Sequence, residues 1–260
     1  MEYRLKSDGT VENMKRTEEY DYWFPLYEQL ATLDIEKQEI RHSSEILSNL
    51  RNLGWMANFD GFDGYWKRIS WTAENCRGKV LEIGCGLGNV TKWIAKNDGV
   101  NRIIAVDNQE RYIERLRKFS FEKVTPLLID VNLETDRLKK FAPFDTVVIA
   151  ELIEHLTRKQ EIQLIESIKP YLQERAQFVI STPIGFMQDP DHVRGFSPFH
   201  FDIHIRALYG DIIIKSKNQF QQFALVKYRK AGNISLVHRH FLSFIDRILN
   251  TRYVLFYPKK

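Results

Sequence analysis

Short apolar runs, each closed by a polar or glycine-bearing turn, recur from Lys79 onward and set the narrowest limit on how this chain can fold. They are VLEI (80–83), IIAV (103–106), LLI (127–129), TVVIA (146–150) and FVIS (178–181). Between them lie amphipathic stretches of helical length, NVTKWIAK, QERYIERLRKF and RKQEIQLIESIKPYL. Runs that are apolar throughout suit strands covered on both faces, and strands joined through helices lie parallel. Two further runs, DIIIKSK (211–217) and FALVKYR (223–229), are too close for a helical crossover and predict an antiparallel hairpin. The expected fold is α/β, a doubly wound, seven-stranded, mostly parallel sheet ending in that hairpin.

The first junction is the most specific. LEIGCGLGN (81–89) sits where the first strand hands over to a helix, and its glycines let a ligand approach the backbone closely. Dinucleotide sites ask for G-x-G-x-x-G, whereas Gly84, Gly86 and Gly88 are spaced G-x-G-x-G, with Glu82 two residues upstream. A carboxylate there disfavours a pyrophosphate and favours a ligand carrying an ammonium group. No G-x-x-x-x-G-K-[ST] is present, so P-loop nucleotide hydrolysis has no support. Asp107 closes the second strand 19 residues after Gly88, placed to accept hydrogen bonds from two ribose hydroxyls. Alone, the loop reads as a turn and the acid as a helix cap. In sequence, they point to a nucleoside with a charged amino-acid tail.

E-x-G-x-G-x-G, an acid ending strand two and another acid (Asp130, in LLIDVNLE) after strand three resemble the class I S-adenosylmethionine-dependent methyltransferases, over residues 65–230 or so. The resemblance implies that Glu82 and the loop Gly84, Cys85, Gly86, Gly88 hold the methionine portion. It implies that Asp107, with Asn108 beside it, binds the ribose, and that Asp130 and the Val131 amide meet the adenine. Glu151, after strand four, is expected to close over the cofactor and face the acceptor. The sulfonium makes the methyl electrophilic, leaving the protein to align the acceptor and remove its proton.

AELIEHLT (150–157) follows strand four, and Glu151, Glu154 and His155 at i, i+3, i+4 share one face if a helix begins there. Such a face offers either a divalent-metal site or an acid/base cluster, and carboxylates near a helix N-terminus are also favoured by its dipole alone. The long loop STPIGFMQDPDHVRGFSPFHF after strand five brings His192, between Asp191 and Arg194, and then His200 to the same end of the sheet. The pattern is similar to ubiquinone-biosynthesis O-methyltransferases and small-RNA 2′-O-methyltransferases, which implies a metal, Mg or Zn, at Glu151, Glu154, His155 and His192. HVRGFSP also looks like a stretch of many small-molecule and glycan methyltransferases. Without a metal, His155 or His192 is the expected base, since imidazole titrates near neutrality. The F-E-W-like ending of the small-RNA branch is absent, which weakens an RNA acceptor.

Of the 260 residues, 43% are hydrophobic and 28% charged, a globular mix with no bilayer-length apolar run and no signal-peptide core at the N-terminus. Two cysteines without metal-ligand spacing fit a reduced, cytoplasmic protein. Three regions are expected: a helical extension or lid (1–64), the cofactor-binding domain (65–231) and a tail (232–260). The extension carries Ile46, Leu47, Leu50 and Leu53 at helical spacing, with NFDGFDG (58–64) as a loop or hinge. Tyr20, Tyr22, Trp23, Phe24, Tyr65 and Trp66 either line an acceptor pocket or simply pack. Residues 215–260 hold ten Lys/Arg against one acid, Asp246, with Phe241, Phe244, Ile245, Ile248 and Leu249 on one helical face. That short helix either docks on the sheet, joins a second copy, or makes peripheral contact with an anionic membrane. The expected activity is methylation of an oxygen, or less readily a nitrogen, of a small-molecule, glycan or lipid-linked acceptor. The alternatives are an RNA methyltransferase tracking phosphates with its basic end and a cofactor-binding module without transfer activity.

Overall fold

The computed structural model describes residues 3–5, 11–13, 59–118, 121–185, 192–217, 221–228 and 244, with side chains from Lys67 onward. The chain divides into two compact units, Met1–Lys67 with Lys260, and Arg68–Lys259. In the first, β1 (Tyr3–Leu5) and β2 (Val11–Asn13) pair antiparallel. The apolar stripe at 46–53, the aromatics at 20–24 and the tail stripe at 241–249, apart from Phe244, lie outside the described residues.

The second unit is built on a seven-stranded sheet. Its strands are β3 (Gly78–Ile83), β4 (Val100–Asp107), β5 (Val124–Leu128), β6 (Phe144–Ala150), β7 (Leu172–Pro183), β8 (Gly210–Lys217) and β9 (Gln221–Tyr228). The spatial order is β5-β4-β3-β6-β7-β9-β8, and the first four pairings are parallel. β9 runs antiparallel to both β7 and β8, so the last hairpin inserts its second strand and leaves β8 at the edge. The five runs read from sequence are the inner parts of longer strands. β7 is 12 residues, because its polar start, Leu172–Arg175, already lies in the sheet.

The helices are α1 (Phe59–Glu74), α2 (Asn89–Lys96), α3 (Glu110–Lys118), α4 (Arg158–Ile168) and α5 (Pro198–Leu208). Three expectations need correction. NFDGFDG does not form a loop, since α1 starts at Phe59 and runs through its glycines. No helix starts at Glu151. Ile153–His155 is a single 3-10 turn, and α4 begins only at Arg158, where Thr157 and Gln160 form a reciprocal capping box. The end of the long loop is also helical, with Ser197 capping α5 and Pro198 opening it, so His200 lies on that helix and is buried.

Both sheet faces are covered. Leu81, Ile83, Ile104, Val106, Val147, Ile149, Phe178 and Ile180 point into one large core with Leu164, Ile165, Phe196, Phe201 and Ile205. The alternate positions Val80, Ile103, Val148 and Val179 are buried on the other side, as strands with apolar residues in both registers require. From β3 the chain winds outward through β4 to β5, then returns to place β6 on the opposite flank of β3. That reversal opens a crevice at the carboxyl ends of β3 and β6, the place where ligands bind in open α/β sheets.

Candidate functional site

The turn after β3 is shaped by backbone first. Gly84, Gly86 and Gly88 all have positive φ, at 73°, 50° and 80°. A Cβ on Gly84 would come within 3.3 Å of Leu152, so the turns after β3 and β6 adjoin there. A Cβ on Gly86 would meet nothing within 4 Å, so this glycine borders open space of the kind a ligand fills. Gly84 and Cys85 amides bond to the Val106 carbonyl, and the Gly86 amide donates to Asp107 Oδ2 at 2.9 Å. Asp107 Oδ1 accepts from the Gln109 amide. Burial raises the Asp107 carboxyl above its ordinary range, although these amide bonds oppose the shift. Gly88 is the N-cap of α2 and supplies no side-chain cap, and the positive end of a helix dipole favours an anionic group there.

Glu82 lies under this loop and is 2% exposed. Thr91, on α2, donates to its Oε2 at 2.5 Å. Burial pushes its carboxyl up to about 8, beyond what the Thr91 bond can offset, and the charge of Asp107 adds to the rise. Cys85 is buried and its thiol is also pushed up by burial. Asn108 is exposed beside Asp107. Asp130 lies two residues past the end of β5, with Oδ1 accepting from the Asn132 amide, and Val131 follows, partly exposed.

At the end of β6, Glu151 takes φ 53°, unusual for a residue with a side chain. Its carboxylate accepts from Ser181 Oγ at 2.9 Å and Gln221 Nε2 at 2.8 Å, with Arg68 Nε at 4.0 Å. Sheet register brings these together, since Ala150 pairs with Ser181 and Pro183 with Gln221. Three residues on, ligand atoms of Glu154, His155 and His192 lie within 4.8 Å of one another. The two imidazole rings meet edge to face with centroids 4.7 Å apart. Glu154 Oε2 accepts from Thr182 Oγ1 at 3.1 Å, while Oε1 is buried with no hydrogen-bond partner. Burial and the adjacent Glu151 hold the Glu154 carboxyl well above its usual range. A buried, orphaned carboxylate oxygen on a residue clustered with two imidazoles fits a divalent cation, which would both bond it and offset its charge.

The structure therefore groups the sequence-predicted residues into three sets: the loop with Glu82 and Asp107, the Glu151 cluster, and the Glu154–His155–His192 triad. Glu151, also expected as a metal ligand, is near Glu154 but is not among the three clustered groups, and its carboxylate bonds to Ser181 and Gln221. Sequence reasoning missed Thr91, which reaches Glu82 only once α2 packs beside β3, and Ser181, Thr182 and Gln221, whose roles emerge only when neighbouring strands are in register. It also missed Glu161, the buried partner of Arg194, and His204 and Tyr209, which bond to that same carboxylate.

This sheet order, with a glycine turn at the reversal and an acid ending the next strand, is a Rossmann-like fold of the methyltransferase type. A methyltransferase-domain family model matches residues 81–178, from β3 into β7. Carboxy-S-adenosyl-L-methionine synthase of Pseudomonas fluorescens is 24% identical over 162 residues, 58% of this chain and 59% of its own length. (S)-Coclaurine N-methyltransferase of Thalictrum flavum subsp. glaucum is 32% identical over 97 residues, 36% of this chain and 25% of its own. The chain thus spans about three fifths and one quarter of these two relatives. In fold, it is similar to the N-methyltransferase NodS from Bradyrhizobium japonicum WM9 in complex with S-adenosyl-L-homocysteine. The TM-score is 0.53 at 18% identity, covering 66% of this chain and 89% of that one. These likenesses agree with the resemblance to class I S-adenosylmethionine-dependent methyltransferases over the sheet domain, with residues 81–178 matching the methyltransferase-domain model.

Proposed function

We propose that the protein transfers a methyl group from S-adenosylmethionine to an oxygen of a small-molecule acceptor, next to a divalent ion held by Glu154, His155 and His192. The observation that carries this reading is the convergence of that triad, with its orphaned Glu154 oxygen, on the turn that packs against the glycine loop. The methyltransferase-domain match over residues 81–178 and the glycine loop support the donor.

In this reading, the space beside Gly86 admits the methionine portion, Glu82 and the α2 N-terminus face its ammonium and carboxylate, and Asp107 takes the ribose hydroxyls. Asp130 and the Val131 amide flank the adenine, and Asn108 borders the ribose. Glu151 orients the acceptor, held by Ser181 and Gln221. When bound, the cofactor supplies a methyl that leaves sulfur as the new carbon–oxygen bond forms, and the acceptor's hydroxyl proton must leave. When bound, an ion at the triad would lower that hydroxyl's pKa, and two imidazoles with one carboxylate favour Zn or a similar transition ion over Mg. With the triad free of metal, His155, the more exposed of the two imidazoles, is the base that takes the proton, a role compatible with a nitrogen acceptor too.

Calorimetry with S-adenosylhomocysteine, before and after chelation and with Zn or Mg restored, followed by a labelled-methyl screen of hydroxylated small molecules and RNA, tests the proposal. Cofactor-product binding with metal-dependent transfer to a small molecule is expected. No uptake of that nucleoside at millimolar concentration would remove the reading, and transfer only to RNA would replace its acceptor.

A further inference from the structure

Beside the triad lies a second polar group that the proposed reaction does not use. Glu161, on α4, is fully buried. It accepts from Arg194 Nη2 at 2.6 Å, from His204 Nε2 at 2.9 Å and from the Tyr209 hydroxyl at 2.5 Å. The same Arg194 nitrogen donates to the Ile153 carbonyl at 2.6 Å. Main-chain amides of Val193 and Arg194 both donate to the Glu154 carbonyl, at 2.9 and 3.1 Å. The segment from His192 to Arg194 therefore grips two consecutive carbonyls of the 3-10 turn, one through its backbone and one through a guanidinium anchored on Glu161.

We propose that Arg194, anchored by Glu161, is the positioning residue that sets His192 against His155 and Glu154. This rests on the reading of that triad as the reacting centre. Two backbone hydrogen bonds are weak against the entropy of ordering a loop segment, and charge-assisted bonds in a dry interior are stronger. The guanidinium carbon also lies over Phe196, 5.1 Å from its ring centre, a cation–π contact that helps hold the group in place. His204 and Tyr209 hold the Glu161 carboxylate from the α5 side, so the anchor cannot swing with the loop. A lysine keeps the charge opposite Glu161, but its shorter stem cannot put an ammonium where Nη2 reaches both acceptors, and it loses the planar group over Phe196.

The test uses full-length protein with isotope-labelled histidine. Magnetisation transfer between the His155 and His192 rings is measured without acceptor or metal, alongside calorimetry with S-adenosylhomocysteine. In Arg194→Lys the ring-to-ring signal is expected to vanish and nucleoside affinity to stay unchanged, while turnover falls about 100-fold, as for a reacting group displaced by an ångström. Tyr209→Phe removes one hydroxyl from the anchor without changing charge and is expected to weaken the same signal, which covers the case of Arg194→Lys not folding. Unchanged ring signals in the variants that fold would overturn the proposal. Parallel loss of ring contact and nucleoside binding would overturn it too, by marking a general packing role. A parent protein with no turnover would count against the reaction proposed above, and the ring signal would still decide this inference.

Discussion

Asp107 and His155 occupy opposite sides of the crevice and are expected to fail differently when changed. Asp107 receives the Gly86 and Gln109 amides and faces the proposed ribose. Asp107→Ala should lose S-adenosylhomocysteine binding by roughly 100-fold, the worth of two charge-assisted hydrogen bonds, as read by calorimetry. His155 belongs to the cluster with Glu154 and His192, on the proposed acceptor side. His155→Ala should therefore bind the nucleoside normally while turnover falls at least about 100-fold, and normal turnover would remove His155 from the mechanism. Gly86 supplies a third case. Its φ of 50° and the empty space beside it mean that Gly86→Ala strains the turn by about 1 kcal/mol without a clash, yet narrows the ligand's cradle. Nucleoside affinity should drop more than the melting temperature suggests. The glycine loop and Asp107 were legible in the sequence because their chemistry is local, a turn and the strand end beside it. Glu161 was not. In RKQEIQLIESI it looks like a solvated helix charge, and only Arg194, 33 residues later, reveals it as a buried anchor.

At the scale of elements, the number of strands and their mostly parallel pairing followed from the sequence because buried parallel strands must be apolar on both faces and helices must separate them. Element boundaries did not follow as well. The segment 151–157 has helical spacing of Glu151, Glu154 and His155, but the positive φ at Glu151 and the capping box at Thr157 delay α4 to Arg158. That delay turns the triad's carboxylate and imidazole toward the segment from His192, which a continuous helix would not do with the same register. Thr157→Ala should cost about 1 kcal/mol of stability by removing the cap, measured by denaturant unfolding. The nucleoside site, which leans on β3, β4 and α2, should keep its affinity. Similarly, β8 and β9 were recognisable as a hairpin, but not that β9 would take the inner place. Its Gln221–Val226 stretch is buried while β8 carries exposed Ile213 and Ile214, so burial pairs β9 with β7.

Across the whole domain, two buried carboxyls pull stability in opposite directions with pH. Glu161 is an acid that burial alone would raise, but the charges of His204 and Arg194 and their hydrogen bonds, with that of Tyr209, hold it at about 2. Its contribution is complete above the unfolded value near 4.5 and is lost as pH falls toward 2, on the order of 3 kcal/mol. Glu82 has the reverse sign. Because its carboxyl titrates at about 8 when folded and near 4.5 when unfolded, the folded state keeps a proton that the unfolded state releases across that window. Stability from Glu82 is thus full below about 4.5 and declines by about 1.4 kcal/mol per pH unit as pH rises toward 8. Glu82→Gln mimics the protonated form and can still accept from Thr91, so it should flatten the pH dependence of unfolding between 5 and 8 by about that slope. Glu161→Gln should instead lower stability at every pH above 4.5, since Arg194 is left buried without a countercharge. Addition of S-adenosylhomocysteine should reduce the Glu82 slope in the parent, because its ammonium favours the ionised carboxyl. Calorimetry in buffers of differing ionisation enthalpy should then show a proton released on binding near pH 7. A parent and Glu82→Gln variant with identical slopes, or binding with no proton release, would place Glu82 outside the ligand's reach and leave the loop amides and Asp107 to hold the nucleoside alone.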